Sequence, residues 1–254
     1  MHKKVLFIAG THGDETIGTA LLKKISKQRD IAALYDSVIG NPRACVQNKR
    51  FIEADLNRVA PGDVNSPIYE VSRASELVEM FKNFEYIIDF HETKANDRIV
   101  IIIPRFCRES LALALAIDIS TILIWPPALP GTAAGPLTQY APFGIEIECG
   151  TKNSFNKTLI KLEKIVKKFL ENKIVRVRDN LALPLDVIKK KKFYLVYGKI
   201  NPNEVNGVVL QDFGPVDTGQ EKFTALLFGK HQNLKGYKMR PLDSREVLDI
   251  LTGQ

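Results

Sequence analysis

Two histidines and a few acids stand out by where they fall. Gly10-Thr11-His12-Gly13-Asp14-Glu15 follows an apolar run, Val5 to Ala9, and sets a His and a Glu three residues apart. At that spacing both side chains can converge on one ion. A glycine turn between strand and helix can also cradle a phosphate, but neither GxxxxGK[ST] nor GxGxxG is present. An isolated HxxE can equally do no more than charge-match a helix N-terminus. The second histidine, His91, ends another apolar run, Ile87-Ile88-Asp89-Phe90, and polar residues follow it. In open α/β sheets ligands bind beyond the carboxyl ends of strands, so the two histidines can face one crevice although far apart in sequence. A third apolar run, Gly144-Ile145-Glu146-Ile147-Glu148-Cys149-Gly150, encloses two acids that need a reason to be buried.

Two His and one Glu form the three-ligand set of a catalytic zinc, which leaves a fourth position for a water whose pKa falls to about 7. A separate carboxylate must then take the proton. Strand alternation puts Glu146 and Glu148 on one face; Glu148 is nearer the strand end and is preferred, while Glu146 suits a structural hydrogen bond or ion pair. Cys149 points the other way and reads as a small core residue.

The elements that must position these groups follow from periodicity. Lys3 to Ala9 and Ser37 to Asn41 read as strands, and Thr16 to Lys27 as a helix with Ile17, Ala20, Leu21 and Ile25 on one side. Val71 to Phe84 and Leu111 to Ile117 are expected helices. Tyr86 to Phe90, Ile99 to Ile103, Thr121 to Trp125 and Phe143 to Cys149 are expected strands. Ser154 to Glu171 carries Leu159, Leu162, Ile165, Val166 and Phe169 on one stripe with lysines opposite. The alternation predicts an α/β fold with helices on both faces of a mixed, largely parallel sheet. Beyond Asn172, the runs Val175 to Val177, Phe193 to Tyr197, Gly207 to Gln211 and Phe223 to Phe228 look like short strands, with no convincing helix before Ser244. The expected organisation is therefore a catalytic unit, residues 1–173, and a small β-rich unit, 174–254, beside the site.

Composition limits the remaining classes. With 254 residues, 45% apolar and 26% charged, the chain is neither disordered nor collagen-like and can bury a core. Cys45, Cys107 and Cys149 contain no CxxC and cannot all pair, which points to a reducing, cytoplasmic setting. The Val5 to Ala9 run is too short for a signal peptide. Leu111 to Pro130 is broken by Asp118, Ser120, Thr121 and Pro126-Pro127, so a buried helix and strand are expected there and no membrane span. Lysine and arginine exceed aspartate and glutamate, 36 to 29. The positive charge is spread among acids and no basic face is interleaved with aromatics, so nucleic acid is not an expected partner. Lys189 to Lys192 reads as a solvated turn or edge strand. His2 and His231 have no partner motif.

Asn41-Pro42-Arg43-Ala44 and Arg50-Phe51-Ile52-Glu53-Ala54-Asp55-Leu56-Asn57-Arg58 fill a loop-rich stretch between the histidines. With these in place the order GTHGDE, NPRA, RFIEADLNR, DFHET and IEIECG resembles the aspartoacylase and succinylglutamate desuccinylase family of zinc carboxypeptidase-like hydrolases, from Gly10 to Gly150. The resemblance implies one zinc held by His12, Glu15 and His91, and Glu148 as general acid/base. It further implies that Arg50 stabilises the oxyanion and that Asn57 and Arg58 hold a substrate carboxylate, a role suited to a planar guanidinium. Asp55 and Asp89 could each accept the outer N–H of a ligating histidine or be ordinary turn and strand-end acids. The implied activity is hydrolysis of small anionic N-acyl amino acids. A peptide carboxypeptidase, or a non-catalytic basic module using Lys189 to Lys192, are the alternatives. The aspartate-specific members resembled carry an aromatic and an Arg before the catalytic Glu, where this chain has Ala134 and Thr138. No characteristic Tyr-containing segment can be aligned in the C-terminal part.

Overall fold

A computed structural model of the chain describes residues 5–93, 97–125, 136–227 and 236–253, with the backbone alone described at 172–176 and 178. Among the described residues, ten strands form one sheet. They are β1 (Val5–Ala9), β2 (Tyr35–Ile39), β3 (Tyr86–His91), β4 (Val100–Ile103), β5 (Thr121–Ile124), β6 (Phe143–Glu148), β7 (Lys192–Lys199), β8 (Pro215–Asp217), β9 (Lys222–Leu226) and β10 (Tyr237–Leu242). Their order is β2-β1-β3-β6-β4-β5-β7-β10-β9-β8. The first four run parallel. Strand β4 is antiparallel to β6, β4, β5 and β7 are mutually parallel, and the rest form an antiparallel meander.

The described helices are α1 (Ile17–Ile25), α2 (Arg29–Ala32), α3 (Pro42–Gln47), α4 (Tyr69–Phe81), α5 (Arg108–Ala116), α6 (Phe155–Asn180), α7 (Leu185–Ile188) and α8 (Ser244–Thr252). Alternation along the central strands sorts the core. Val5, Phe7 and Ala9 of β1, Tyr86, Ile88 and Phe90 of β3, and Ile145 and Ile147 of β6 pack with apolar residues of α1, α5 and α6. Cys149 joins the same cluster, fully buried, as expected. Leu6, Ile8 and Ile87 face the other way, onto Ala74, Leu77 and Phe81 of α4. The residues interleaved with the first set, Asp89, His91, Glu146 and Glu148, therefore share the α4 face, where the site forms.

Three expectations are corrected. Val175 to Val177 lies inside α6, which runs unbroken through the expected boundary near residue 173, and the strands beyond it extend the same sheet. Val177 is fully buried in the same core cluster as Leu162, Ile165, Val166 and Phe169, and the long helix outweighs the short Val-Arg-Val run. Gly207 to Gln211 forms no strand. Lys192 begins β7, an interior strand between β5 and β10, and the Lys191 ammonium turns inward to donate to the carbonyls of Ile117 and Ile119 at 2.6 and 2.8 Å. Part of the lysine run thus closes the C-terminal end of α5, where a cation meets orphan carbonyls. No described helix is long and apolar enough to cross a membrane. The three cysteines are free.

Candidate metal centre

Strands β1, β3 and β6 lie side by side, and their carboxyl ends deliver the chemistry. After β1 the chain turns at Gly10, whose φ of +67° favours glycine. Gly13 then passes so close to α3 that an added Cβ would lie 2.1 Å from the Ala44 carbonyl carbon. This tight turn carries His12 and Glu15 over the sheet edge. His91 ends β3 and is the register partner of Glu148 on β6. All four side chains are buried, none more than 8% exposed.

The two histidines meet through their inner nitrogens. His12 Nδ1 and His91 Nδ1 are 3.3 Å apart, and Glu15 reaches both, at 2.9 Å through Oε1 and 3.2 Å through Oε2. The outer nitrogens point at acids: His12 Nε2 lies 3.0 Å from Asp55 Oδ1, and His91 Nε2 lies 2.9 Å from Asp89 Oδ2. Both acids left open by the sequence therefore act on a histidine. Each carboxylate favours a ring proton on Nε2, which leaves Nδ1 as the atom that can turn its lone pair to a metal. Two ring nitrogens this close beside a buried carboxylate call for a positive charge among them, a proton on a ring or a metal ion. The ligand atoms of His12, Glu15 and His91 all lie within 4.8 Å of one another, a nitrogen, nitrogen and oxygen set that fits zinc. Asp89, His91 and Glu146 also cluster, but hydrogen bonds account for them: Asp89 Oδ2 accepts from His91 and from the Thr11 hydroxyl, and Glu146 from Asn57.

The electrostatics follow from these contacts. Burial would lower the His91 pKa, but the Asp89 charge and hydrogen bond outweigh it and raise it well above the ordinary value. For Asp55, burial works upward, while His12, Arg50 and Arg58 hold its carboxyl well below the usual range. Burial raises Glu92, whose carboxylate accepts the N–H groups of Thr16 and Ile17 at the start of α1. The Glu92 backbone N–H donates to Glu15 Oε2 at 2.8 Å.

Arg50 stands beside the centre. Its Nε and Nη2 grip Asp55 Oδ2 at 3.2 and 3.0 Å, and Nη1 lies 3.3 Å from Glu15 Oε1. Asn57 is placed differently from a free carboxylate ligand: its Nδ2 donates to Glu146 Oε1 at 2.8 Å, and its Oδ1 accepts from Leu137 N at 2.9 Å. Arg58 is exposed, with Nη1 donating to the Asn57 carbonyl at 2.6 Å. Thr138 is buried in the 3-10 turn Leu137–Tyr140, and its hydroxyl has no partner among the described residues. Ala134, His2 and His231 lie outside the described residues.

Two groups were missed in the sequence. Tyr237 opens β10, and the charges of Arg58 and Arg50 act on its hydroxyl, against burial, which raises its pKa. A single Tyr in a lysine-rich segment has no local signature. Glu70 is fully buried in the first turn of α4 and gathers the 52–54 backbone. Its only sequence signal is an acid at a helix start, the commonest of all placements. The stretch read as loop-rich also contains α3, with Asn41 as N-cap accepting from Ala44 N and Pro42 at the first helical position.

The fold and these donors together define an α/β protein with a candidate metal centre at its strand ends. The chain belongs to the succinylglutamate desuccinylase/aspartoacylase family of hydrolases, whose catalytic domain matches residues 1–172. A relative from Prochlorococcus marinus (strain MIT 9312), named a probable aspartoacylase, is 29% identical over 203 residues, 73% of this chain and 67% of that one. Murine aminoacylase 3 superposes with a TM-score of 0.69 at 18% identity, covering 95% of this chain and 96% of that one. A succinylglutamate desuccinylase from Chromobacterium violaceum gives a TM-score of 0.64 at 18% identity, with 94% and 84% covered. At such identities these two likenesses are likenesses of fold.

Proposed function

We propose that the chain is a zinc-dependent amidohydrolase that cleaves N-acyl amino acids or similar small amides bearing a free carboxylate. The observation that carries this reading is the pair of Nδ1 atoms 3.3 Å apart beside Glu15, each ring held by an aspartate on its far side. Zinc held by His12, Glu15 and His91 would supply Lewis acidity to a water molecule and an acyl carbonyl. The chain's own groups do the rest. Glu148, beside His91 across the β3–β6 ladder, accepts the water proton and returns it to the departing amine nitrogen. Arg50, aligned by Asp55, meets the negative charge that develops on the carbonyl oxygen. Arg58 binds the substrate carboxylate. Asn57, with both ends of its amide engaged, sets the position of Arg58 and ties it to Glu146.

The substrate side chain we propose is not strongly acidic. A second carboxylate needs a second fixed cation, and Thr138 offers a buried hydroxyl where the aspartate-specific members resembled have an arginine. The test is a hydrolysis screen of zinc-loaded protein against N-acetyl and N-succinyl amino acids, read as amine release, with α-carboxamide analogues as controls. Turnover of free acids and poor turnover of the amides is expected, because a site built to pair a carboxylate leaves donors unpaired with an amide. No hydrolysis of any N-acyl amino acid by protein that holds stoichiometric zinc would overturn the proposal.

A further inference from the structure

Glu70 is a buried acid for which the reaction above has no use. Its Oε1 accepts from the Asn41 side-chain amide at 3.0 Å and from Ile52 N–H at 2.7 Å. Its Oε2 accepts from the N–H groups of Glu53 and Ala54 at 3.2 and 3.3 Å. Three successive backbone N–H groups closing on one anion form a nest, and here the anion is the protein's own side chain. An acid that only complemented the start of α4 could face solvent; Glu70 is turned inward, 0% exposed, toward a loop 16 to 18 residues away in sequence. Burial works against its charge, and the four hydrogen bonds outweigh it, holding the pKa below the ordinary carboxylate value.

What the nest holds is the useful part. The tripeptide 52–54 is flanked by Arg50 and Asp55, and Arg50 grips Asp55 Oδ2 while Asp55 Oδ1 meets His12 Nε2. The fourth donor extends the same frame. Asn41 caps α3 through Oδ1, and its backbone N–H donates to the Gly10 carbonyl at 2.9 Å, two residues before His12. One carboxylate thus ties the loop that presents Arg50 and Asp55 to the turn that presents His12.

We infer that Glu70 is a positioning residue for the hydrolysis: its carboxylate sets the 50–55 loop so that Arg50 faces the scissile carbonyl and Asp55 keeps His12 Nδ1 toward the metal position. The inference rests on the function proposed above, and Glu70 itself touches neither substrate nor metal.

Glu70→Gln tests it, because the amide keeps the size and one oxygen but sets an NH2 group against backbone donors of the nest. In a zinc competition titration the variant should bind about tenfold more weakly, the scale of a lost outer-sphere clamp. Its kcat should fall about tenfold or more with KM changed less than about threefold, since an oxyanion donor acts on the transition state. On an Asp55→Asn background Glu70→Gln should weaken zinc by less than about twofold more, because the two act through one path. Glu70→Asp, which keeps the charge, should recover part of both losses, and it carries the same measurements if Glu70→Gln does not fold. Wild-type zinc affinity and kcat in the folded variant would overturn the inference, as would independent, multiplying losses in the double variant. A wild-type protein that binds zinc but hydrolyses no N-acyl amino acid would sink the proposed function alone, and the zinc titrations would still decide the role of Glu70.

Discussion

Asp89→Asn probes the centre at the point where structure and chemistry constrain each other most. Asp89 is 0% exposed; its Oδ2 accepts from His91 Nε2 at 2.9 Å and from the Thr11 hydroxyl at 2.8 Å. Its Oδ1 is buried and has no partner among the described residues. An asparagine here has two settings. With its oxygen in place of Oδ2, both incoming bonds survive, but the NH2 group falls where nothing accepts it, at a cost of about 1–3 kcal/mol. With the NH2 group in place of Oδ2, His91 Nε2 must accept, the ring proton moves to Nδ1, and the lone pair facing Glu15 is lost. In both settings the negative charge behind the ring is gone and the imidazole becomes a poorer ligand. Zinc affinity should fall about 10- to 100-fold, or about 1.4–2.7 kcal/mol. A competition titration against a chelator reads the affinity, and urea unfolding of the metal-free protein reads the stability. His91→Ala, assayed beside it, should retain no stoichiometric zinc. An Asp89→Asn protein with zinc affinity within twofold of wild type would refute the assignment of Nδ1 as the inner atom.

Glu148→Gln should keep zinc and fold yet lose about 100- to 10,000-fold in kcat, the span of a general acid/base; an active Glu148→Gln enzyme would assign proton transfer elsewhere. Glu146→Gln should cost only about 1 kcal/mol of stability, because the amide oxygen can still accept from Asn57 Nδ2, and should leave turnover close to wild type. Arg50→Ala should raise the barrier by about 3 kcal/mol, read in kcat, if the guanidinium is an oxyanion donor. N-acetylaspartate should be a poorer substrate in kcat/KM than its asparagine and alanine counterparts; a preference of about a hundredfold for the aspartyl compound would mean that a second cation reaches the site. Glu70 carries a pH signature with a definite sign: its folded pKa lies below 4.5, so its contribution is complete above pH 4.5 and is lost as pH falls through the folded value. Urea unfolding should therefore weaken more steeply below pH 4.5 in wild type than in Glu70→Gln.

The strand-end histidines were legible because each sits where an apolar run stops, and a carboxyl-edge crevice is a property of the sheet type rather than of local sequence. The stripe of α6 was legible for the same reason: Leu162, Ile165, Val166 and Phe169 are all buried. What escaped depends on contacts distant in the chain. The partner of His12 Nε2 is 43 residues away, and the atoms that engage Asn57 are 80 and 89 residues away. Nothing in a DLNR string says that its asparagine faces inward and its arginine outward. Val175 to Val177 was misread because a Val-Arg-Val run is short beside a helix of 26 residues, whose periodic burial decides the matter. The N-cap and proline at Asn41-Pro42 were a readable helix start, overlooked because so short a helix leaves little apolar periodicity behind it.

The same alternation that fills the core also assembles the site, so the two cannot vary independently. On β3 and β6 every second residue, Ile88, Phe90, Ile145 and Ile147, enters the cluster beneath α1, α5 and α6, while Asp89, His91, Glu146 and Glu148 take the opposite face. A slip of β6 by one residue against β3 would set Ile147 beside His91 and drive Glu146 and Glu148 among Phe90, Leu111 and Leu113. Burying two carboxylates without partners costs several kcal/mol each, more than most domains have to spare. The register that places Glu148 opposite His91 is therefore enforced by the apolar residues between them rather than by any attraction among the polar ones. The polar groups are free to be arranged for chemistry, including His91 Nδ1 set 3.3 Å from His12 Nδ1, because burial of the isoleucines and phenylalanines on the far face holds the strands there.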